Sequence, residues 1–201
     1  MTEADLKKVK EAAGILRSGG IVVYPTETVY GIGCDPLNSE ACRRVYSLKK
    51  RTHSKPFILL ADSMKTIEDF AGVPDAVAKK LAATFWPGPL TIVFKPLQPL
   101  PAHLYGPSGG VAFRVTPCTV AAALSREFGK PVVSTSANIS GSKPVVTYDE
   151  ALAAFGNLAD SVLENTEKPD GHPSTVIDLT SAEPVILRTG AISEQCIREV
   201  L

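Results

Sequence analysis

Apolar residues at Leu6, Val9, Ala13 and Leu16 recur at helical spacing, and Gly19-Gly20 stops the run. The next apolar stretch, Ile21-Val22-Val23-Tyr24, lacks that period and reads as a short buried strand. These two signatures alternate along the chain. Further helices are expected over about 40–50, 63–70, 75–85, 117–128, 148–155 and 193–200. Strands are expected at about 57–61, 90–94, 111–115, 131–135, 161–164, 174–179 and 184–188. Ser39 is the expected cap of the second helix, and Thr147-Tyr148-Asp149-Glu150 forms a capping box. The proline-rich segment 95–110 reads as a surface loop and a candidate lid. Alternation without a dividing linker predicts one α/β domain over 1–201 with a mixed sheet.

Tyr24-Pro25-Thr26-Glu27-Thr28-Val29-Tyr30-Gly31-Ile32-Gly33 breaks this pattern. Pro25 cannot donate to a ladder, so regular pairing is expected to stop there. Gly31 and Gly33 permit a close backbone approach or a positive φ. Two hydroxyls and a carboxylate sit between strand and glycines, where α/β proteins usually bind small molecules. An ordinary strand-to-loop exit is the other reading.

Four more clusters carry polar chemistry. Lys49, Lys50, Arg51 and Lys55 lie at a helix end just before a strand. Cations there complement the helix dipole, and they also suit a polyphosphate. Ser134-Thr135-Ser136-Ala137-Asn138 leaves a strand with hydroxyls and an amide, as a polar turn or as a phosphate site. Arg114 stands inside the apolar run Val111-Ala112-Phe113-Arg114-Val115, where an unpaired charge is costly. Its partner is either an internal carboxylate or an acidic ligand. Ser174-Thr175 and Arg188 mark the start of one strand and the end of another.

Charge and composition narrow the functions. Lys plus Arg and Asp plus Glu are both 21, so no global field attracts nucleic acid, and an anion site must be local. The N-terminus has no secretory signal, and no apolar run reaches membrane-spanning length. The four scattered cysteines form no C-x-x-C pair, which argues for reduced thiols in a cytoplasmic protein and against zinc. The G-x-S-x-G elbow, the Walker loop and G-x-G-x-x-G are all missing. What remains is a site of Lys, Arg, Ser, Thr and Asn, suited to orienting anions and offsetting charge.

Taken in order, the blocks resemble the YrdC-like threonylcarbamoyl-AMP synthases. The matching blocks are Tyr24 to Gly33, Lys49-Lys50-Arg51 with Lys55-Pro56, Trp86-Pro87-Gly88-Pro89-Leu90-Thr91, Val111 to Val115, Ser134 to Gly141, Ser174 to Asp178 and Leu187-Arg188-Thr189-Gly190, covering about 10–190. The resemblance implies a twisted mixed β-sheet flanked by helices around a basic concave groove. It implies a nucleotidyltransferase that converts L-threonine, bicarbonate and ATP into threonylcarbamoyl-AMP and pyrophosphate. Mg²⁺ would arrive with the ATP, and no metal would be held by the protein itself. Downstream, the adenylate would serve N6-threonylcarbamoyladenosine modification of tRNA through separate transfer proteins. The family's Lys-x-Arg and Ser-x-Asn motifs fall on Lys49, Arg51, Ser136 and Asn138, the implied catalytic set. Arg51, Lys55, Gly110, Ser136, Asn138 and Arg188 would hold ATP, while Thr28, Arg114, Ser134 and Ser174 would hold threonine.

Thr52, Leu60 and Thr189 depart from the pattern, standing where many members have proline, histidine and proline. The Leu60 change bears on the threonine pocket. Ending at Leu201, the chain is expected to be the short type without an extra C-terminal domain. Two other readings use the same fold: a module that binds double-stranded RNA or tRNA, and an inactive paralogue.

Overall fold

The computed structural model describes residues 1–50, 56–164 and 169–201. Thr2 opens helix α1 (Glu3–Arg17) through a reciprocal capping box with Asp5. Gly19, at φ 80°, turns the chain out of it. Strand β1 (Val22–Tyr24) follows, and the chain doubles back into β2 (Gly31–Gly33).

Strand β2 was not expected, and it decides between the two readings of the glycines. Pairing lapses at Pro25 but resumes antiparallel, with Val22 opposite Gly33 and Tyr24 opposite Gly31. Neither Gly31 nor Gly33 has a positive φ. At Gly33 the requirement is clearance. A Cβ there would lie 2.5 Å from the Val133 carbonyl oxygen and 2.6 Å from the Tyr24 ring. Gly33→Ala is therefore expected to destabilise the protein by about 1–3 kcal/mol, because backbone must move. Urea denaturation measures this, and a variant as stable as the parent would contradict the packing described.

Helix α2 (Ser39–Leu48) is capped by Asn38 rather than Ser39: the amide oxygen accepts from the Glu40 and Ala41 N–H groups at 3.1 and 3.0 Å. Then come β3 (Ile58–Ala61), α3 (Met64–Ala71), α4 (Ala76–Phe85), β4 (Leu90–Phe94) and β5 (Val111–Val115). The chain closes with α5 (Thr119–Phe128), β6 (Val132–Ser136), α6 (Tyr148–Phe155), β7 (Ser161–Val162), β8 (Thr175–Asp178), β9 (Val185–Arg188) and α7 (Glu194–Arg198). Among the described residues, one nine-stranded sheet runs β7-β1-β2-β6-β3-β5-β4-β8-β9. It is mixed as expected, with parallel pairs β1–β7, β3–β5 and β4–β8.

The segment 95–110 is tied down rather than lid-like. Leu97 N–H donates to the Ala71 carbonyl at 2.7 Å, and Leu104 is fully buried in a 3-10 turn, Ala102–Leu104. None of its residues lines the cavity described below.

Strand alternation divides the interior into two cores. On one face, Leu59, Ala61, Ile92, Phe94, Phe113 and Val133 pack against buried residues of α2, α3, α4, α6 and α7. On the other, α1 and α5 cover Val22, Tyr24, Leu60 and Val132. Leu60 thus belongs to this second core and not to the cavity wall. The two helices cover only part of their face. Further along this face stand Ile58 on β3, Ala112 and Arg114 on β5 and Ser134 on β6, where among the described residues no helix contributes to the surface above the sheet.

Candidate active site

That uncovered patch is the floor of a cavity of about 500 Å³. Its size suits a small-molecule site. Six expected site residues meet in its wall: Thr28, Arg114, Ser134, Ser136, Ser174 and Arg188. Lys49, Asn138 and Gly110 do not reach it. Arg51 and Lys55 lie outside the described residues, and the basic groove that was expected is not shown: among the described residues Arg114 and Arg188 are the cations in this wall, and Arg114 is paired with Glu27.

Thr26 folds the loop between β1 and β2. Its hydroxyl donates to the Val29 carbonyl at 2.6 Å and accepts from the Thr28 and Val29 N–H groups at 3.2 Å. A second segment lies across this loop, with Asp170 and Gly171 N–H groups donating to the Glu27 and Thr28 carbonyls at 2.8 Å. Thr28 and Glu27 are thereby held over Arg114.

Arg114, the fourth residue of β5, is 4% exposed. Glu27 is its internal carboxylate, with Oε1 at 3.4 Å from Nε. Thr116 steadies Glu27 by donating to Oε2 at 2.5 Å. Arg114 Nη1 donates to Thr28 Oγ1 at 3.3 Å. Nη2 has no hydrogen-bond partner among the described residues, and Arg114 lines the cavity. A planar cation with one edge held and one edge open suits a carboxylate.

Lys49 is 2% exposed beneath the loop that follows β6. Its ammonium donates to the Ser136 carbonyl, to the Asn138 carbonyl at 2.9 Å and to Asn138 Oδ1 at 3.0 Å. Asn138 in turn accepts from Ser136 Oγ at 2.6 Å and donates through Nδ2 to the Ser142 carbonyl at 2.6 Å. So Lys49 and Asn138 shape the loop from behind, and Ser136 is the member that lines the cavity.

Across the cavity, Arg188 Nη2 and Nε donate to the Ser174 hydroxyl and carbonyl, both at 3.0 Å. Ser174 Oγ also lies 2.9 Å from Thr91 Oγ1. Gly110 packs behind this wall, where a Cβ would come within 2.4 Å of the Thr180 methyl and 2.7 Å of Val93.

Asp178 closes β8 at the edge of this region. Burial pushes its carboxyl up, but hydrogen bonds from Ser108 and Thr180 and the Lys95 charge outweigh that, leaving its pKa below the ordinary value. Its stabilising contribution is therefore complete above the unfolded carboxylate range and is lost as pH falls through the lowered value. Asp178→Asn is expected to flatten the acid side of a Tm profile taken from about pH 6 to pH 3. Parallel profiles for parent and variant would contradict this.

All four cysteines are free. The Cys34 thiol is pushed far above its usual range by its hydrogen bond with Cys42 and by burial, so it stays protonated. The described residues contain no group of three or more His, Cys, Asp or Glu placed to hold a metal ion. No described helix is long and apolar enough to cross a membrane.

Comparison with known proteins gives consistent results. The family model for Sua5, YciO and YrdC proteins, described as telomere recombination, matches residues 14–190. A threonylcarbamoyl-AMP synthase of Methylococcus capsulatus is 45% identical over 181 residues, covering 89% of this chain and 96% of that protein. Sua5 of Pyrococcus abyssi, solved in complex with L-threonine, superposes with a TM-score of 0.91 at 34% identity. That match covers 98% of this chain and 58% of the Sua5 chain. Escherichia coli YciO superposes with a TM-score of 0.86 at 27% identity over 98% of this chain and 94% of its own.

Proposed function

This chain belongs to the Sua5/YciO/YrdC family, and from that premise we propose that it is a threonylcarbamoyl-AMP synthase. The observation that carries the reading is Arg114: a buried guanidinium with one free edge, set among hydroxyls at the floor of a cavity. Such a group suits the carboxylate of a small hydroxylated amino acid better than it suits RNA, whose binding draws on many exposed cations.

In this reaction the neutral amine of L-threonine adds bicarbonate with loss of water, giving a carbamate. A carbamate oxygen attacks the α-phosphorus of ATP, and pyrophosphate leaves with the electron pair of the broken P–O bond. Arg114 would hold the carboxylate through Nη2, while Thr28, Ser134 and Ser174 would meet the amine and hydroxyl. Ser136 and Arg188, on the neighbouring wall, would face the nucleotide, and Arg51 and Lys55 would offset phosphate charge. Mg²⁺ is part of the MgATP substrate. The unstable adenylate would pass to a separate protein that transfers the threonylcarbamoyl group to tRNA.

The test is pyrophosphate release from MgATP with L-threonine and bicarbonate supplied or withheld in turn. Release that needs both is expected. Release that is indifferent to threonine would overturn the reading.

A further inference from the structure

We infer that Thr91, which lies behind the cavity wall, is a positioning residue that fixes the Ser174 hydroxyl as a hydrogen-bond donor to the amino-acid substrate. This rests on the synthase reading and specifies how its amino-acid half is oriented. Thr91, the second residue of β4, is fully buried and lies outside the cavity lining. Among the described residues, the one acceptor within reach of its proton is Ser174 Oγ, at 2.9 Å. Were Ser174 to donate instead, the Thr91 proton would be buried without an acceptor, at the full cost of its desolvation. Thr91 is therefore the donor. Arg188 Nη2, which can only donate, reaches the same oxygen at 3.0 Å. Both lone pairs of Ser174 Oγ are then occupied, and its proton is left for the cavity.

The opposite wall has the reverse polarity. Thr26 gives its proton to the Val29 carbonyl at 2.6 Å, so it does not donate across its 2.9 Å contact with Thr28. Thr28 accepts from Arg114 Nη1 and keeps one lone pair. Tyr24 gives its proton to the Val133 carbonyl at 3.1 Å, so toward the neighbouring Ser134 hydroxyl the phenol can only accept. Ser136 donates to Asn138 Oδ1. Thr28, Ser134 and Ser136 thus offer lone pairs to the cavity, while Ser174 and Arg114 offer protons. An α-amino acid has the complementary halves. Its N–H groups match the lone-pair wall, and an oxygen of its carboxylate or hydroxyl matches Ser174.

The test compares Thr91→Val, Thr91→Ser and the parent in two measurements on the full chain. One is calorimetric binding of L-threonine, and the other is steady-state pyrophosphate release. Valine keeps the shape of threonine and removes the hydroxyl, so Ser174 loses its fixed polarity. The threonine Kd and KM are expected to rise about tenfold in Thr91→Val. The MgATP KM should stay within about twofold, since loss of one amino-acid contact leaves nucleotide binding intact. Thr91→Ser should return the threonine values to those of the parent. Unchanged threonine affinity in Thr91→Val, an equal loss for MgATP, or a Thr91→Ser as weak as Thr91→Val would each overturn the inference while leaving the synthase reading in place. If Thr91→Val does not fold, Thr91→Ala against Thr91→Ser gives the same comparison. A parent chain that neither binds threonine nor releases pyrophosphate with it would remove the reading itself.

Discussion

Arg114→Ala is expected to lower kcat/KM for L-threonine by at least about a hundredfold, the usual consequence of truncating one partner of a buried, charge-assisted contact. The same substitution strands Glu27, whose side chain is 16% exposed and whose Oε1 has Arg114 as its ion-pair partner at 3.4 Å. Breaking a buried pair from one side costs about 3–5 kcal/mol. At roughly 2–4 °C per kcal/mol for a chain of this size, Tm should fall by about 10 °C. The two losses separate in the double variant. Adding Glu27→Gln removes the stranded charge and should recover most of the Tm, while threonine turnover stays lost. Arg114→Lys keeps the charge but not the planar fork, so it should retain stability better than activity. Threonine kinetics and thermal denaturation on these three variants and the parent decide the matter. A double variant that regained activity would place the carboxylate elsewhere.

Lys49→Met should destabilise the protein and inactivate it together. The ammonium is buried and donates to two backbone carbonyls and one side-chain amide oxygen of the loop carrying Ser136. Removing it leaves the Asn138 carbonyl without a donor and takes one of two donors from the Ser136 carbonyl and from Asn138 Oδ1. Each such loss costs about 1–3 kcal/mol, partly offset because a buried charge is also removed. A net loss of about 2–4 kcal/mol and a Tm lower by roughly 10 °C are expected. Turnover should fall because the Ser136 hydroxyl is no longer held at the cavity. If Lys49 acted only on the phosphates, the variant would lose activity at an unchanged Tm. Denaturation of the parent and Lys49→Met without substrates separates these outcomes.

Both effects trace to features that the chain displays to different degrees. Arg114 was legible because a cation inside Val111-Ala112-Phe113-Val115 demands a partner, and Glu27 at 3.4 Å is that partner. Thr91 gives the same signal, a polar residue inside Leu90-Ile92-Val93-Phe94, but a hydroxyl is cheaper to bury than a charge and attracts less notice. Lys49 reads from sequence as one of several cations at a helix end. Only the path of the loop after β6 shows three oxygens around it. The order and type of most elements followed from hydrophobic period, caps and breakers. Strand β2 did not, because Gly31-Ile32-Gly33 has almost no side chain with which to show alternation. What makes it a strand is distant in sequence: β6 pairs along it, with Gly31 opposite Ser136 and Ile32 opposite Thr135. The partial cover of the sheet by α1 and α5, which creates the cavity, is likewise a tertiary outcome that no local pattern encodes.

The most direct test follows isotopically labelled bicarbonate into product by mass spectrometry, with parent protein, MgATP and L-threonine. The expected product is an adenylate that carries the threonine mass and the labelled carbon, formed with pyrophosphate and missing when threonine is withheld. An unlabelled threonine adenylate, or pyrophosphate release with no labelled product, would contradict the assignment of the cavity to threonylcarbamoyl-AMP synthesis.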